Sequence, residues 1–161
     1  MEEKKQKFVN IDVEKLNIVD KKGNIKLSLF NNENIPSLIM GGEDILPGHR
    51  KDDNISGIMF YNAEGDECGG LIFGSKKGEN GEYESGLSLT FDQYKQDQLV
   101  QMLVSEENGE RQYGFNIFDR PDMPITEYID EMKSVMAMEN SDEKKEKMKN
   151  LYKGNHRRIF M

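Results

Sequence analysis

From Val13 to Ile117 the chain repeats one local pattern: apolar and polar residues alternate, a short polar turn carrying a glycine follows, and the alternation resumes. A period of two puts all the apolar side chains of a segment on one side of an extended ribbon, which is the pattern of a strand and not of a helix. Leu16 and Ile18 lead to the turn Asp20–Asn24 around Gly23, and Ile25, Leu27 and Leu29 follow it. Residues 58–61 lead through Asn62–Asp66, with Gly65, into Gly70–Gly74. The turn at Lys76–Glu82, with Gly81, precedes Leu87, Leu89 and Phe91, and Glu106–Glu110, with Gly109, joins a strand over 99–105 to Tyr113–Ile117. Glycine at these places supplies the positive φ that a tight antiparallel turn requires.

The four glycines are unevenly spaced, so the chain reads as a meander and not as a solenoid. The strands at 58–61 and 70–74 are apolar on both faces, which predicts a central position covered on each side. Residues 31–55 hold Pro36, Pro47 and the pair Gly41-Gly42, and read as a long loop that is either functional or hides a short strand at Leu38–Met40.

After Asp119 the period changes. Pro121 and Pro124 end the sheet, and Asp122 is placed to cap a helix. Ile125, Tyr128, Ile129, Met132, Val135 and Met136 share one helical face, and a helix packed on the sheet would bury Ile125, Ile129, Met132 and Met136. A second helix is predicted from about Asn140 to Gly154, and Arg157–Met161 reads as a strand that starts and stops. The expected fold is one mainly β domain over 1–161. It comprises an antiparallel meander of six to eight strands over 8–119, a helical segment over 122–153 and the start of a terminal strand over 156–161. Closure into a barrel, a two-sheet sandwich, or pairing with another copy would each hide the sheet edges.

Thirty acidic against 22 basic residues give a net charge of −8, which excludes general nucleic-acid binding and disfavours anionic membranes. Cys68 is the one cysteine, so no intramolecular disulfide forms. The charged start Met1–Lys7 lacks the apolar stretch of a signal peptide, and no run approaches the ~18 apolar residues of a membrane span, which points to the cytoplasm. No phosphate loop, dinucleotide fingerprint, paired-cysteine motif or zinc-peptidase motif occurs, so no cofactor and no metal are called for.

The richest candidate site is the connection Asp92, Gln93, Tyr94, Gln96, Asp97 and Gln98, whose amides, carboxylates and ring could read a polar ligand together with His49 and Arg50. The bland alternative is a turn that satisfies its own backbone through these side chains. Cys68 lacks an obvious base, and Glu64, Asp66 and Glu67 would raise its thiol pKa. The acidic turn 62–67 departs from calcium-loop spacing and reads as a solvated hairpin. Asp119-Arg120-Pro121-Asp122 reads as a structural pin.

At Ile11–Val19, Glu64–Gly74, Leu89–Gln98 and Phe118–Asp122 the chain resembles a family of uncharacterised bacterial proteins, over roughly residues 8–122. The resemblance implies a β-rich fold and carries no activity, cofactor or functional residue. Members typically continue beyond the position of Ile159–Met161 with short β-repeats, which implies a shorter natural form or a truncated chain here. The expected role is a non-enzymatic binding or assembly module that self-associates through sheet edges or an apolar sheet face. The alternatives are a small polar-ligand-binding barrel, or a hydrolase or lyase using Asp92 and Asp97.

Overall fold

The structure is a computed structural model that describes the backbone of residues 5–155 and 157–160 and the side chains of residues 5–151. In chain order the strands are β1 (Lys15–Val19), β2 (Ile25–Phe30), β3 (Ile39–Met40), β4 (Glu43–Asp44), β5 (Ile55–Tyr61) and β6 (Glu67–Lys77). They continue with β7 (Tyr83–Asp92), β8 (Gln98–Glu107) and β9 (Glu110–Asp119); then come the helices α1 (Ile125–Ala137) and α2 (Asp142–Asn155), and finally β10 (Arg157–Phe160). Eight strands form one antiparallel sheet in the order β1-β2-β5-β6-β7-β8-β9-β10. The meander is therefore as expected, and the sheet stays open, with β1 and β10 as its edges. The long loop does hide a short strand, β3, paired with β4. His156 and Met161, the ends expected for the terminal strand, lie outside the described residues.

All four turn glycines have positive φ: 88° at Gly23, 91° at Gly65, 85° at Gly81 and 91° at Gly109. Asn108 joins Gly109 on that side at 49°, the signature of a two-residue hairpin turn between the paired Glu107 and Glu110. The ribbons thus bend where the sequence places their glycines.

The greatest departure from expectation concerns which face is buried. One continuous row across seven strands reads Leu16, Leu29, Ile58, Leu71, Leu89, Met102, Phe115. The row on the opposite face reads Asn17, Ser28, Met59, Gly70, Thr90, Gln101, Asn116. The second, more polar face is the buried one: Ser28, Met59, Gly70, Thr90 and Asn116 all lie inside. Its polar groups largely bond to each other, Asn116 Nδ2 to Gln101 Oε1 at 3.1 Å, Gln101 Nε2 to Ser88 Oγ at 3.0 Å, and the Gly70 N–H to Thr90 Oγ1 at 3.2 Å. Burial of small polar groups is tolerable when they are paired, and on this face the Ser28 hydroxyl is the exception, buried with no partner. Phe30, Met59 and Phe118 on that face, Met40 of the 31–54 excursion, and Ile129 and Val135 of α1 are the buried large apolar side chains among the described residues.

The apolar face is open. Phe73 is 50% exposed, Leu87 42%, Phe91 54% and Met102 51%, where the alternation predicts a sheltered row. The expectation that β5 and β6 are covered on both sides is corrected in the same way: they are central, and they are covered on one side.

The helices also differ from expectation in detail. Residue Pro124, not Asp122, stands at the N-cap of α1, with no side-chain cap, and Met136 is 60% exposed because α1 packs against α2 more than against the sheet. Ser141 Oγ accepts the Lys144 N–H at 3.2 Å and caps α2. No helix among the described residues is long and apolar enough to cross a membrane.

Candidate functional site

Three segments far apart in sequence meet at one end of the sheet: the β5–β6 turn, the β7–β8 connection and the β9–α1 connection. A bulge between Phe91 and Asp92 redirects β7, and the chain then closes on itself, the Gln93 N–H bonding Asp97 O at 3.1 Å and the Gln96 N–H bonding Gln93 O at 2.9 Å. Lys95 takes a left-handed φ of 55° to complete the turn.

The side chains then fasten this turn to its neighbours. Gln93 Nε2 donates to Pro121 O at 3.0 Å, and Gln96 Nε2, almost wholly buried, donates to Met123 O at 2.8 Å while its Oε1 accepts the Asp97 N–H. The Ile125 N–H donates to Lys95 O at 2.8 Å and starts α1 from this turn. Arg120 Nε donates to Gln98 O at 2.8 Å, and its Nη2 lies 3.0 Å from Asp97 Oδ2, so the expected pin is present and its carboxylate partner is Asp97. On the other side Tyr94 OH donates to Glu64 Oε1 at 2.6 Å, and Lys95 Nζ stands 3.1 Å from Glu64 Oε2. These bonds hold the Glu64 carboxyl below its ordinary range, the Tyr94 hydrogen bond first.

The β5–β6 turn is not the solvated hairpin that the sequence suggests. Asn62 Oδ1 accepts the N–H groups of Glu64 and Asp66, and Asp66 is fully buried, its Oδ1 accepting the Gly41 N–H at 2.6 Å. Next to it, Glu67 takes a two-pronged bond from Arg50, Nη1 to Oε2 at 2.9 Å and Nη2 to Oε1 at 2.8 Å; Nη1 also reaches Pro36 O. Both side chains are largely buried, 16% and 10% exposed. Removing one partner of such a pair strands the other charge. The variant Arg50→Ala is expected to lose about 2 kcal/mol or more, and Arg50→Lys most of that, because an ammonium cannot span both oxygens. Urea denaturation of the three proteins checks this.

Asp92 lies between these groups. Burial, then the negative charges of Glu67 and Asp97, push its carboxyl up to about 7, against the pull of Arg120 and Arg50. Its Oδ1 is buried with no hydrogen-bond partner. Cys68 is likewise raised, by burial first and then by Asp92, Glu67 and Asp66, which makes its thiol a poor nucleophile. Burial also lifts Tyr61 to about 12.

The sequence-predicted site residues therefore divide. Asp92, Gln93, Tyr94, Gln96, Asp97 and Gln98 share one turn, and Arg50 joins Asp92 electrostatically through the pair with Glu67. His49 instead lines a hollow of about 300 Å3 within the 32–51 excursion. A larger hollow of about 560 Å3 lies at the other end of the polar face, floored by Gly74, Gly86, Ser88 and Ser105, and none of residues 92–98 lines it. Glu64, Asp66, Glu67, Lys95 and Arg120 are the members that sequence reasoning left out of the site. Their only signal was density of charge beside glycine and proline.

The apolar face is the other exceptional surface. It carries Leu16, Ile18, Leu29, Phe73, Tyr83, Leu87, Phe91, Met102, Val104, Tyr113 and Phe115, each at least 37% exposed. At ~200 Å2 per large side chain, about half exposed, that is roughly 1,000 Å2 of open apolar surface. Its charged residues, such as the ion pair Arg111–Glu106, stand at the rim.

The chain matches no known family model, no curated protein and no solved structure.

Where the β5–β6, β7–β8 and β9–α1 connections meet, most donors and acceptors are spent within the chain, which fits a rigid joint. The Asp92 carboxyl, pushed up to about 7, is the carboxyl placed to hold and release a proton near neutrality. Among the described residues no group of three or more histidine, cysteine, aspartate or glutamate side chains is arranged to hold a metal ion. At the apolar face nothing is spent.

Proposed function

We propose that this protein is a non-enzymatic binding and assembly module that works through the apolar face of its sheet. One observation carries the reading: the side chains that the alternation gathers on one face are left open, while the polar face is the covered one. Monomeric proteins rarely expose a contiguous apolar patch beyond roughly 300–600 Å2, and larger patches mark interaction sites. The area here exceeds that range.

Strand pairing supports the same reading. Long strands of 10 or 11 residues at β6–β9 give the face a stiff backing, so it can meet a partner without reorganising. The expected result is strong enhancement of an apolar dye's fluorescence, such as anilinonaphthalene sulfonate, whenever the face is unoccupied, and quenching of it when a partner binds. A folded protein that neither binds the dye nor protects Met102 and Phe115 from hydroxyl-radical labelling through a partner would rule the reading out.

A hydrolase or lyase using Asp92 and Asp97 is the second reading, favoured by the proton that Asp92 retains. It requires a reactant to reach that carboxyl, whose Oδ1 is closed off from solvent, and so it stands behind the first.

A further inference from the structure

We infer that the partner that covers the apolar face is a second copy of this chain, packed sheet against sheet about a two-fold axis. The inference rests on the interaction-surface reading above and adds its occupant.

Four observations select a second copy. The first is area. The open face offers roughly 1,000 Å2, and a stable complex of standard size buries ~800 Å2 from each partner. One equal face suffices to cover it, and a short peptide does not. The second is charge. The chain carries −8 overall, so two copies repel unless they meet where no charge lies. The central rows of the face, from Leu16 to Phe115 and from Phe73 through Leu87 and Val104 to Tyr113, contain no charged residue. A charged partner would find nothing there to select it, while a like-charged copy can meet these rows without bringing charged residues into contact.

The third is the core. Six large apolar side chains are buried among the described residues and nineteen are exposed. An antiparallel sheet with one covered face is half of a sandwich, and a second sheet at ~10 Å supplies the missing layer. A two-fold relation lets one patch serve both sides, since each residue then meets its counterpart's neighbours. The fourth lies ahead of β1, where Phe8, Val9, Ile11 and Val13 form no strand and are all exposed, Val9 at 103%. They add four more large apolar side chains that the single chain leaves uncovered.

Sedimentation velocity of the full chain from 1 to 100 μM tests this. The expected result is a particle of twice 18.6 kDa at the upper concentrations. Met102→Glu and Phe115→Glu, both at exposed positions, are each expected to weaken association at least 100-fold while leaving the circular-dichroism spectrum unchanged; Glu131→Lys on α1 is expected to leave it intact. A second measurement needs no variant: Met102 oxidation by hydrogen peroxide should slow markedly as the native protein is concentrated. Oxidation equally fast at 1 and 100 μM overturns the inference. A monomer that binds the apolar dye, or floats with phosphatidylcholine–phosphatidylglycerol vesicles, also overturns the second copy but leaves the face an interaction surface. A monomer that binds neither, with Met102 protected, overturns the underlying reading as well.

Discussion

Replacing Gly57 by alanine should unfold this protein or lower its melting temperature by ~10 °C or more, the effect of about 4 kcal/mol in a domain of this size. Gly57 sits in β5 opposite Phe30 and Ile72, on the covered face. A Cβ added there would stand 2.1 Å from Leu71 O, a backbone atom of the neighbouring strand, and 2.9 Å from Ile72 Cα. No rotamer relieves such a contact, because a Cβ is fixed by its own backbone and the atoms it meets are all main chain of β6. Gly74 repeats the geometry at 2.1 Å from Asn54 O, and Gly70 would meet Ile58 O at 2.8 Å. These three glycines let β5 and β6 approach on their covered side more closely than side chains allow. Gly114 provides the control. It has nothing within 4 Å of the added Cβ, so Gly114→Ala should change stability by no more than ~0.5 kcal/mol. Thermal and urea denaturation of the two variants beside the native chain decides the matter. Equal effects at Gly57 and Gly114 would mean that the tight β5–β6 contact is absent in solution.

The order of strands was legible because each turn announced itself. Glycine stood where a hairpin needed positive φ, and alternation on either side fixed which residues share a face. Which face is covered was not legible. A period of two reports that two faces differ, and the usual assumption assigns the apolar one to the interior. Here Ser28, Ser88, Thr90 and Asn116 go inside; Ser88 and Asn116 do so by bonding the half-buried Gln101 between them, across the consecutive strands β7, β8 and β9, while Ser28 Oγ stays unpartnered. The apolar residues on both faces of β5 and β6 concealed the asymmetry. Met59 and Ile72 on the covered side looked no different from Ile58 and Phe73 on the open one.

At the candidate site the chemical inventory of residues 92–98 was readable, and the destinations of its bonds were not. Gln93 and Gln96 reach carbonyls at Pro121 and Met123, more than 25 residues on. Only the fold brings Arg50 to Glu67 or Arg120 to Asp97. The same proximity turns an unremarkable aspartate at the end of β7 into a carboxyl with a displaced affinity for protons. Sequence neighbours alone, Phe91 and Gln93, carry no charge that would have foretold it.

Asp92 therefore gives the second large expectation, a stability that falls as pH rises toward neutrality and a variant that abolishes the fall. In the native chain its carboxyl holds its proton to about 7, and an unstructured aspartate releases it near 3.8. Between those values the folded state binds the extra proton, so raising the pH favours unfolding. Below the lower value both states are protonated and Asp92 contributes no slope. Above the upper one both are ionised and the destabilisation is complete. A gap of about three pH units corresponds to at most ~4 kcal/mol, and about 2–3 kcal/mol allows for solvent and the guanidinium groups of Arg50 and Arg120 partly screening the charge. Asp92→Asn cannot ionise. It should match the native protein within ~1 kcal/mol at pH 4 and exceed it by about 2–3 kcal/mol at pH 8. Urea midpoints of both proteins at pH 4, 6 and 8 measure the difference, and taking it between two chains that share every other carboxylate cancels the contributions of Asp20, Glu64 and Glu106, whose carboxyls are shifted the opposite way. Parallel profiles would show that Asp92 is ionised and compensated in the folded protein. In that case Arg120 or Arg50 stands closer to it than the structure places them, and the joint that fastens the β7–β8 turn is held by charge as well as by amide hydrogen bonds.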